Sequence, residues 1–75
     1  MVDDVIFALK EVREEQGLNK NLKLHIDNII TFLESDPELG KDKALTEIEE
    51  MVEKNNMDPH IRQQIWSIMS MLESL

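Results

Sequence analysis

Apolar residues recur along the chain in four groups at the spacing of an α-helix. In the first group Leu9 and Val12 fall on one side when successive residues turn by about 100°. The same period runs through three further groups, which centre on Ile26, Ile48 and Ile65. The pattern predicts an all-α protein of four amphipathic helices.

Cap and stop residues place the boundaries of the first two helices. Asp3 is the predicted N-cap of a helix over Asp4–Gln16, because its carboxylate can accept from the first free backbone N–H groups. Gly17 suits the left-handed conformation that ends a helix. Asn19 then caps a second helix over Lys20–Glu34. These two helices are expected to form a tight hairpin.

A second hairpin is predicted after Ser35–Lys41, the segment that holds one proline and one glycine. We interpret this segment as a linker, with the alternative that Pro37 begins the third helix early. Asn56 stands at the end of the third helix. Asp58 caps the fourth helix, and Pro59 occupies its first position, where a missing N–H costs nothing.

The two hairpins are copies of one unit, because residues 3–35 align without a gap on residues 42–74. The identities include Ile26 with Ile65 and the run Leu33–Ser35 with Leu72–Ser74. One such hairpin is too short to bury its own apolar face. Two copies can bury both faces in one domain of residues 1–75, whereas an open stack of the HEAT or armadillo kind usually needs about three repeats. We therefore expect a closed four-helix domain in which Ile26, Leu33, Ile65 and Leu72 are the most buried side chains.

Charge and cysteine content narrow the class of protein. The formal net charge is −8 and there is no cysteine, so disulfides and thiolate metal sites are excluded. The negative charge repels phosphate backbones, which argues against nucleic-acid and anionic-membrane binding. No apolar run reaches the ~20 residues that span a bilayer. The expected location is the cytoplasm.

Catalytic and metal-binding chemistry is not apparent. His25 and His60 are the only histidines, and neither has a second ligand at metal-binding spacing. The carboxylates lie on highly charged helix faces rather than in the buried settings that acid–base catalysis requires. Phosphate loops, nucleophile elbows and calcium loops are missing from the sequence. We expect no enzymatic activity, no cofactor and no metal site.

Positions where the two copies differ are candidates for function, since a symmetric core needs matching residues and a partner does not. Phe7 and Leu24 point away from the predicted core, and Trp66 lies about 100° from Ile65. Their counterparts in the other copy are polar: Thr46, Gln63 and Asp27. The plain alternative is that Phe7 and Leu24 are scattered surface apolars and that Trp66 sits at the rim of the core.

The fourth helix also resembles a known family. The residues that carry the likeness are Asn56-Met57, His60, Arg62, Ile65-Trp66, Ile68, Ser70 and Leu72-Glu73. Together they resemble the C-terminal signature of a small archaeal family of unknown function, number 0147 in the series of uncharacterised protein families. The resemblance implies an all-helical fold of two hairpins and an archaeal source, and it implies no activity.

A surface on helix four is the best functional candidate that the sequence offers. The resemblance gives weight to His60, Arg62 and Trp66 as a shared surface, although Arg62 could instead pair with a carboxylate such as Glu53. The leading hypothesis is a non-enzymatic protein-interaction module, with a homodimer as one form of it. The candidate partner-binding residues are Trp66, Arg62, His60, Phe7 and Leu24. The alternative is a small helical bundle that binds a ligand or a metal.

Overall fold

The computed structural model of the protein describes residues 2–75, and within that range it contains four helices and no strand. The helices are α1 (Val2–Arg13), α2 (Lys20–Ser35), α3 (Pro37–Lys54) and α4 (Pro59–Glu73). Helices α2 and α4 begin at equivalent positions of the two repeats. The predicted all-α fold of two helical hairpins is confirmed.

The bounds of α1 differ from the prediction, whereas the turn that leads into α2 has the predicted conformation and cap. Helix α1 already includes Val2, so Asp3 lies in its first turn rather than at the predicted N-cap position, and the helix ends at Arg13 instead of Gln16. Gly17 has a φ of +86°, the left-handed conformation expected of it. The Asn19 side chain accepts a hydrogen bond from the backbone N–H of Leu22 at 2.9 Å, as a cap should.

The connection between α2 and α3 is much shorter than the predicted linker of residues 35–41. Ser35 is the last residue of α2 and Pro37 the first of α3, which leaves Asp36 as the only residue between them. Asp36 has two roles: its N–H donates to the Phe32 carbonyl at the end of α2, and its carboxylate accepts from the backbone N–H groups of Glu38 and Leu39. Helix α3 therefore begins at Pro37, which was the alternative to a linker over residues 35–41, because Asp36 caps both helices.

No left-handed residue follows helix α3, whereas Gly17 follows α1. Asn55 is extended, with φ −123° and ψ 137°, and no non-glycine residue between 2 and 75 has a positive φ. Asn56 therefore does not repeat the left-handed conformation of Gly17. The start of α4 is as predicted: the Asp58 carboxylate accepts from the His60 N–H at 2.7 Å, and Pro59 follows the cap.

The four helices pack in a closed ring in which α1 contacts α2 and α4, while α3 contacts the same two helices. One apolar core fills the ring, and its members come from all four helices and both hairpin turns. Ile26, Leu33, Ile65 and Leu72 are exposed by at most 1%. They are fully buried as predicted, but they are not set apart as the most buried side chains, because Leu9, Ile29, Ile48 and Met51 are buried equally well.

Helices α2 and α3 share the most extensive contact, and Gly40 is the residue that permits it. Gly40 is buried in α3, and its Cα faces the backbone of Phe32. A Cβ at this position would overlap the Phe32 carbonyl oxygen and carbon. Because the obstacle is backbone, a larger residue cannot be accommodated by rotating a side chain. Gly40 acts as a packing residue inside a helix and does not break it.

Gly40→Ala should destabilise the protein, although the same change in an open helix interior normally stabilises by ~0.5–1 kcal/mol. The added methyl group must push α3 away from Phe32, and such overpacking costs ~1–3 kcal/mol. Urea unfolding of the variant measures the difference. Thr46→Ala on the exposed side of α3 serves as the control, with an expected change within about 0.5 kcal/mol. An unchanged or raised stability of Gly40→Ala would contradict the packing described here.

Ile65→Ala should lower the free energy of unfolding by ~2–5 kcal/mol, because the side chain is fully buried and its removal leaves a cavity. That loss is a large part of the stability that a domain of this size can have. Leu24→Ala removes a side chain that is 58% exposed and should change stability by no more than about 0.5 kcal/mol. Equal thermal unfolding of the two variants would show that the buried face of α4 is assigned wrongly.

Candidate surface on helix α4

A depression in the protein surface lies beside the start of α4, and we call it the Trp66 depression. It has a volume of about 380 Å³ and is lined by Met57, Pro59, Arg62, Gln63 and Trp66. Pro59, Arg62 and Trp66 follow one another at spacings of three and four, so they share one face of the helix. Met57, in the preceding turn, is only 9% exposed, whereas Trp66 is 54% exposed. A large exposed aromatic side chain thus borders a concave and partly apolar surface.

Arg62 brings the only formal charge to this lining. Its Nε atom is shielded from solvent and has no hydrogen-bond partner. Within residues 2–75 its guanidinium also forms no ion pair, so the alternative pairing with Glu53 is not found. The cation at the edge of the Trp66 depression is therefore not neutralised by this chain.

His60 lies on the other side of α4 from Trp66 and Arg62. Its Nε2 atom is 3.8 Å from an Oε1 oxygen of Glu15 on α1, and the same oxygen accepts a hydrogen bond of 3.1 Å from Gln64. These contacts place His60 over the seam between α1 and α4. The structure brings Arg62 and Trp66 together, and it separates His60 from them.

Phe7 and Leu24 are exposed as expected, by 65% and 58%, but neither lines the Trp66 depression. Phe7 lies on α1 and Leu24 on α2, whereas the depression is formed by α4 and the turn before it. The five candidate residues of the sequence do not make one surface. Their roles in binding stay predictions, and the geometry favours the pair Arg62 and Trp66.

Two interhelical pairs were not predicted from the sequence. Arg13 on α1 contacts Asp27 on α2, with Nε to Oδ1 at 2.6 Å and Nη2 to Oδ2 at 3.3 Å. The hydrogen bond and the charge of Asp27 raise the pKa of Arg13 above its ordinary value. His25 Nδ1 lies 2.5 Å from Glu47 Oε2 and joins α2 to α3. The partners in each pair are far apart in the sequence, so no pattern of neighbouring residues predicts that they will meet. Only the packed helices identify such pairs.

The seam between α1 and α4 forms a second crevice, which includes Glu11, Glu15, Gln64 and Ser67 among its lining residues. Gln64 donates through Nε2 to Glu15, and its Oε1 atom is shielded from solvent without a partner. A single acceptor of this kind can be satisfied by one water molecule. Among residues 2–75, no group of three histidine, aspartate or glutamate side chains is placed to hold a metal ion.

The membrane and family comparisons add two findings. No helix within residues 2–75 is long and apolar enough to cross a bilayer. Residues 1–75 match the sequence model of the Uncharacterised protein family (UPF0147), so the chain belongs to that family, and the resemblance carried by helix α4 is confirmed. No curated protein and no solved structure matches the chain.

Trp66 should behave as an exposed indole in the monomer, because more than half of its surface is accessible. The chain has one tryptophan and no tyrosine, so its fluorescence reports this side chain alone. We expect red-shifted emission that moves little on unfolding in urea, together with efficient quenching by acrylamide. A strongly blue-shifted and poorly quenched emission, from a species whose sedimentation mass is that of a monomer, would place the indole in the core.

Proposed function

We propose that this member of the UPF0147 family is a non-enzymatic protein-interaction module that binds its partner at the Trp66 depression. The observation that carries the proposal is the pairing of a tryptophan that is 54% exposed with an unneutralised arginine in one concave surface. Tryptophan and arginine are the residues most enriched at binding hot spots, together with tyrosine. Both have large contact surfaces and donor groups at their edges.

The repeat supports the same surface, because the core does not require tryptophan at this position. The first hairpin has Asp27 where the second has Trp66, and the equivalent helices of both hairpins bury the same apolar face. The exposed part of the indole does not stabilise the fold, since the hydrophobic contribution comes only from apolar area that is removed from water. A partner that covers Trp66 would recover that contribution.

A heterologous partner is favoured over a second copy of the chain. Within residues 2–75 the large exposed apolar side chains are distributed over all four helices and the C-terminus, and they are Phe7, Leu24, Leu39, Trp66 and Leu75. A stable homodimer usually buries ~800 Å² per partner around a continuous apolar centre. Two copies would also bring together two charges of −8. We therefore expect self-association to be weak and a different protein to occupy the surface.

Site-specific photo-crosslinking tests this function. A benzoylphenylalanine placed at Gln63 lies in the lining of the Trp66 depression, and the same residue placed at Leu24 lies on α2 outside it. Cells of the native host that express each form are irradiated, and the crosslinked proteins are identified by mass spectrometry. We expect one heterologous protein to be captured from position 63 and not from position 24.

The matched substitutions Trp66→Ala and Leu24→Ala then measure the binding of that protein. Each removes an exposed apolar side chain, so the folded state should tolerate both. We expect Trp66→Ala to weaken binding by at least ~30-fold, the size of a hot-spot effect of about 2 kcal/mol, and Leu24→Ala to leave it within about twofold. Equal binding by Trp66→Ala and the parent protein would rule out the proposed surface, and capture of a second copy alone would favour the homodimer.

A further inference from the structure

The charge of Arg62 indicates what the occupant of the Trp66 depression must carry. The protein has only two arginines, and the other one, Arg13, is paired with the carboxylate of Asp27 through two nitrogen atoms. Arg62 is not paired with a carboxylate, and its Nε is shielded from solvent and has no hydrogen-bond acceptor. A guanidinium that has lost part of its hydration and gained no partner is poorly solvated. An anion that reaches its terminal amino groups would therefore gain more than it would at an exposed arginine.

The two repeats differ in the pair of side chains that stands near Arg62. Arg13 and Asp27 correspond to Val52 and Trp66, which stand 39 positions later in the sequence. In the first hairpin a guanidinium and a carboxylate therefore join the two helices at this level. In the second hairpin both charges are replaced by apolar side chains. Arg62 on α4, which corresponds to Lys23 of the first hairpin, has no acid beside it in the lining of the Trp66 depression.

We propose that the occupant is a protein segment that presents one carboxylate beside a large apolar side chain. The carboxylate, from an aspartate or a glutamate, is bound by the guanidinium of Arg62, whose planar donors match the two oxygens. The apolar side chain lies on the indole of Trp66 and against Met57 and Pro59. A helix that carries these two groups three or four positions apart would present them on one face. This inference rests on the proposed function of the same surface.

The net charge limits the rest of the occupant. With a net charge of −8, the protein repels a strongly acidic partner at long range. The occupant must therefore carry a single acidic group on a segment whose overall charge is neutral or basic. Nucleic acids and anionic membranes present continuous negative charge and do not meet this condition. A second copy has the same charge of −8 and does not meet it either.

Three small probes that differ only in one group test the chemistry without a known partner. They are 3-phenylpropionate, 3-phenylpropanamide and 3-phenylpropylamine, which attach a carboxylate, an amide or an ammonium group to the same phenyl chain. Each is titrated into the full chain while the NMR signals of the Trp66 indole N–H and the Arg62 Nε–H are followed. The Nε–H of Arg13 is an internal control, because that guanidinium is already paired. We expect the carboxylate to bind about fivefold to tenfold more tightly than the amide, and the ammonium more weakly still.

Two neutralising variants assign the preference to one residue. Arg62→Gln removes the proposed cation, and Lys23→Gln removes the cation at the equivalent position of the first repeat. Circular dichroism and thermal unfolding check that both variants fold. We expect Arg62→Gln to bind the carboxylate and the amide equally and Lys23→Gln to keep the preference of the parent protein. Equal binding of the three probes by the parent, or a preference that survives Arg62→Gln, would overturn the inference.

The outcome is separable from that of the proposed function. If Trp66→Ala weakens binding of the captured protein but the probes show no carboxylate preference, the docking surface stands and the assigned chemistry is wrong. If the carboxylate preference depends on Arg62 but Trp66→Ala binds the captured protein normally, the chemistry stands and the proposed docking function is wrong.

Discussion

The fold depends on one close approach, between the backbone of α2 at Phe32 and the backbone of α3 at Gly40. Asp36 holds the two helices at this distance, because it ends α2, caps α3 and is the only residue between them. A connection of one residue leaves the helix pair almost no freedom to slide or rotate. The pair α2–α3, which joins the two repeats, is therefore the most extensively packed pair of helices in the fold.

This arrangement gives a chain without cysteine one closed apolar core. Small domains bury a modest fraction of their surface and often need disulfides or metals. Here the close α2–α3 contact and the closed ring leave eight of the large apolar side chains exposed by no more than 1%, together with Val5. Burial of polar residues is avoided, since no polar or charged residue among positions 2–75 is fully buried. The ion pair between Arg13 and Asp27 joins α1 to α2 through partly exposed side chains, where such a pair contributes little to stability.

The sequence predicted the helices and their buried faces, because helical periodicity and caps are local signals that neighbouring residues carry. For Ser35–Lys41 the sequence left open whether α3 begins at Pro37 or after a linker, since a glycine that breaks a helix and a glycine that permits close packing look the same until the partner helix is known. The candidate surface was predicted only in part, again because the sequence does not show which helices pack together. Angular positions on an isolated helix place Arg62, Trp66 and His60 outside the core, but the neighbour that each one meets depends on packing. His60 already points to a different side of α4 from Arg62 and Trp66, and only the packed structure shows that it meets Glu15 of α1 there.

Comparison of the two repeats separates what the fold requires from what it does not. Both hairpins must bury equivalent apolar faces, and they do so with matching residues such as Ile26 and Ile65. The outer edge of each interhelical seam is under no such constraint, and there the first hairpin has Arg13 with Asp27 whereas the second has Val52 with Trp66. The ion pair of the first hairpin is complete within the chain. The second hairpin exposes an indole and an unpaired guanidinium, and each of them gains free energy only from a molecule outside the fold. The asymmetry between the two copies of one unit is the reason why the proposed binding surface lies on the second hairpin and not on the first.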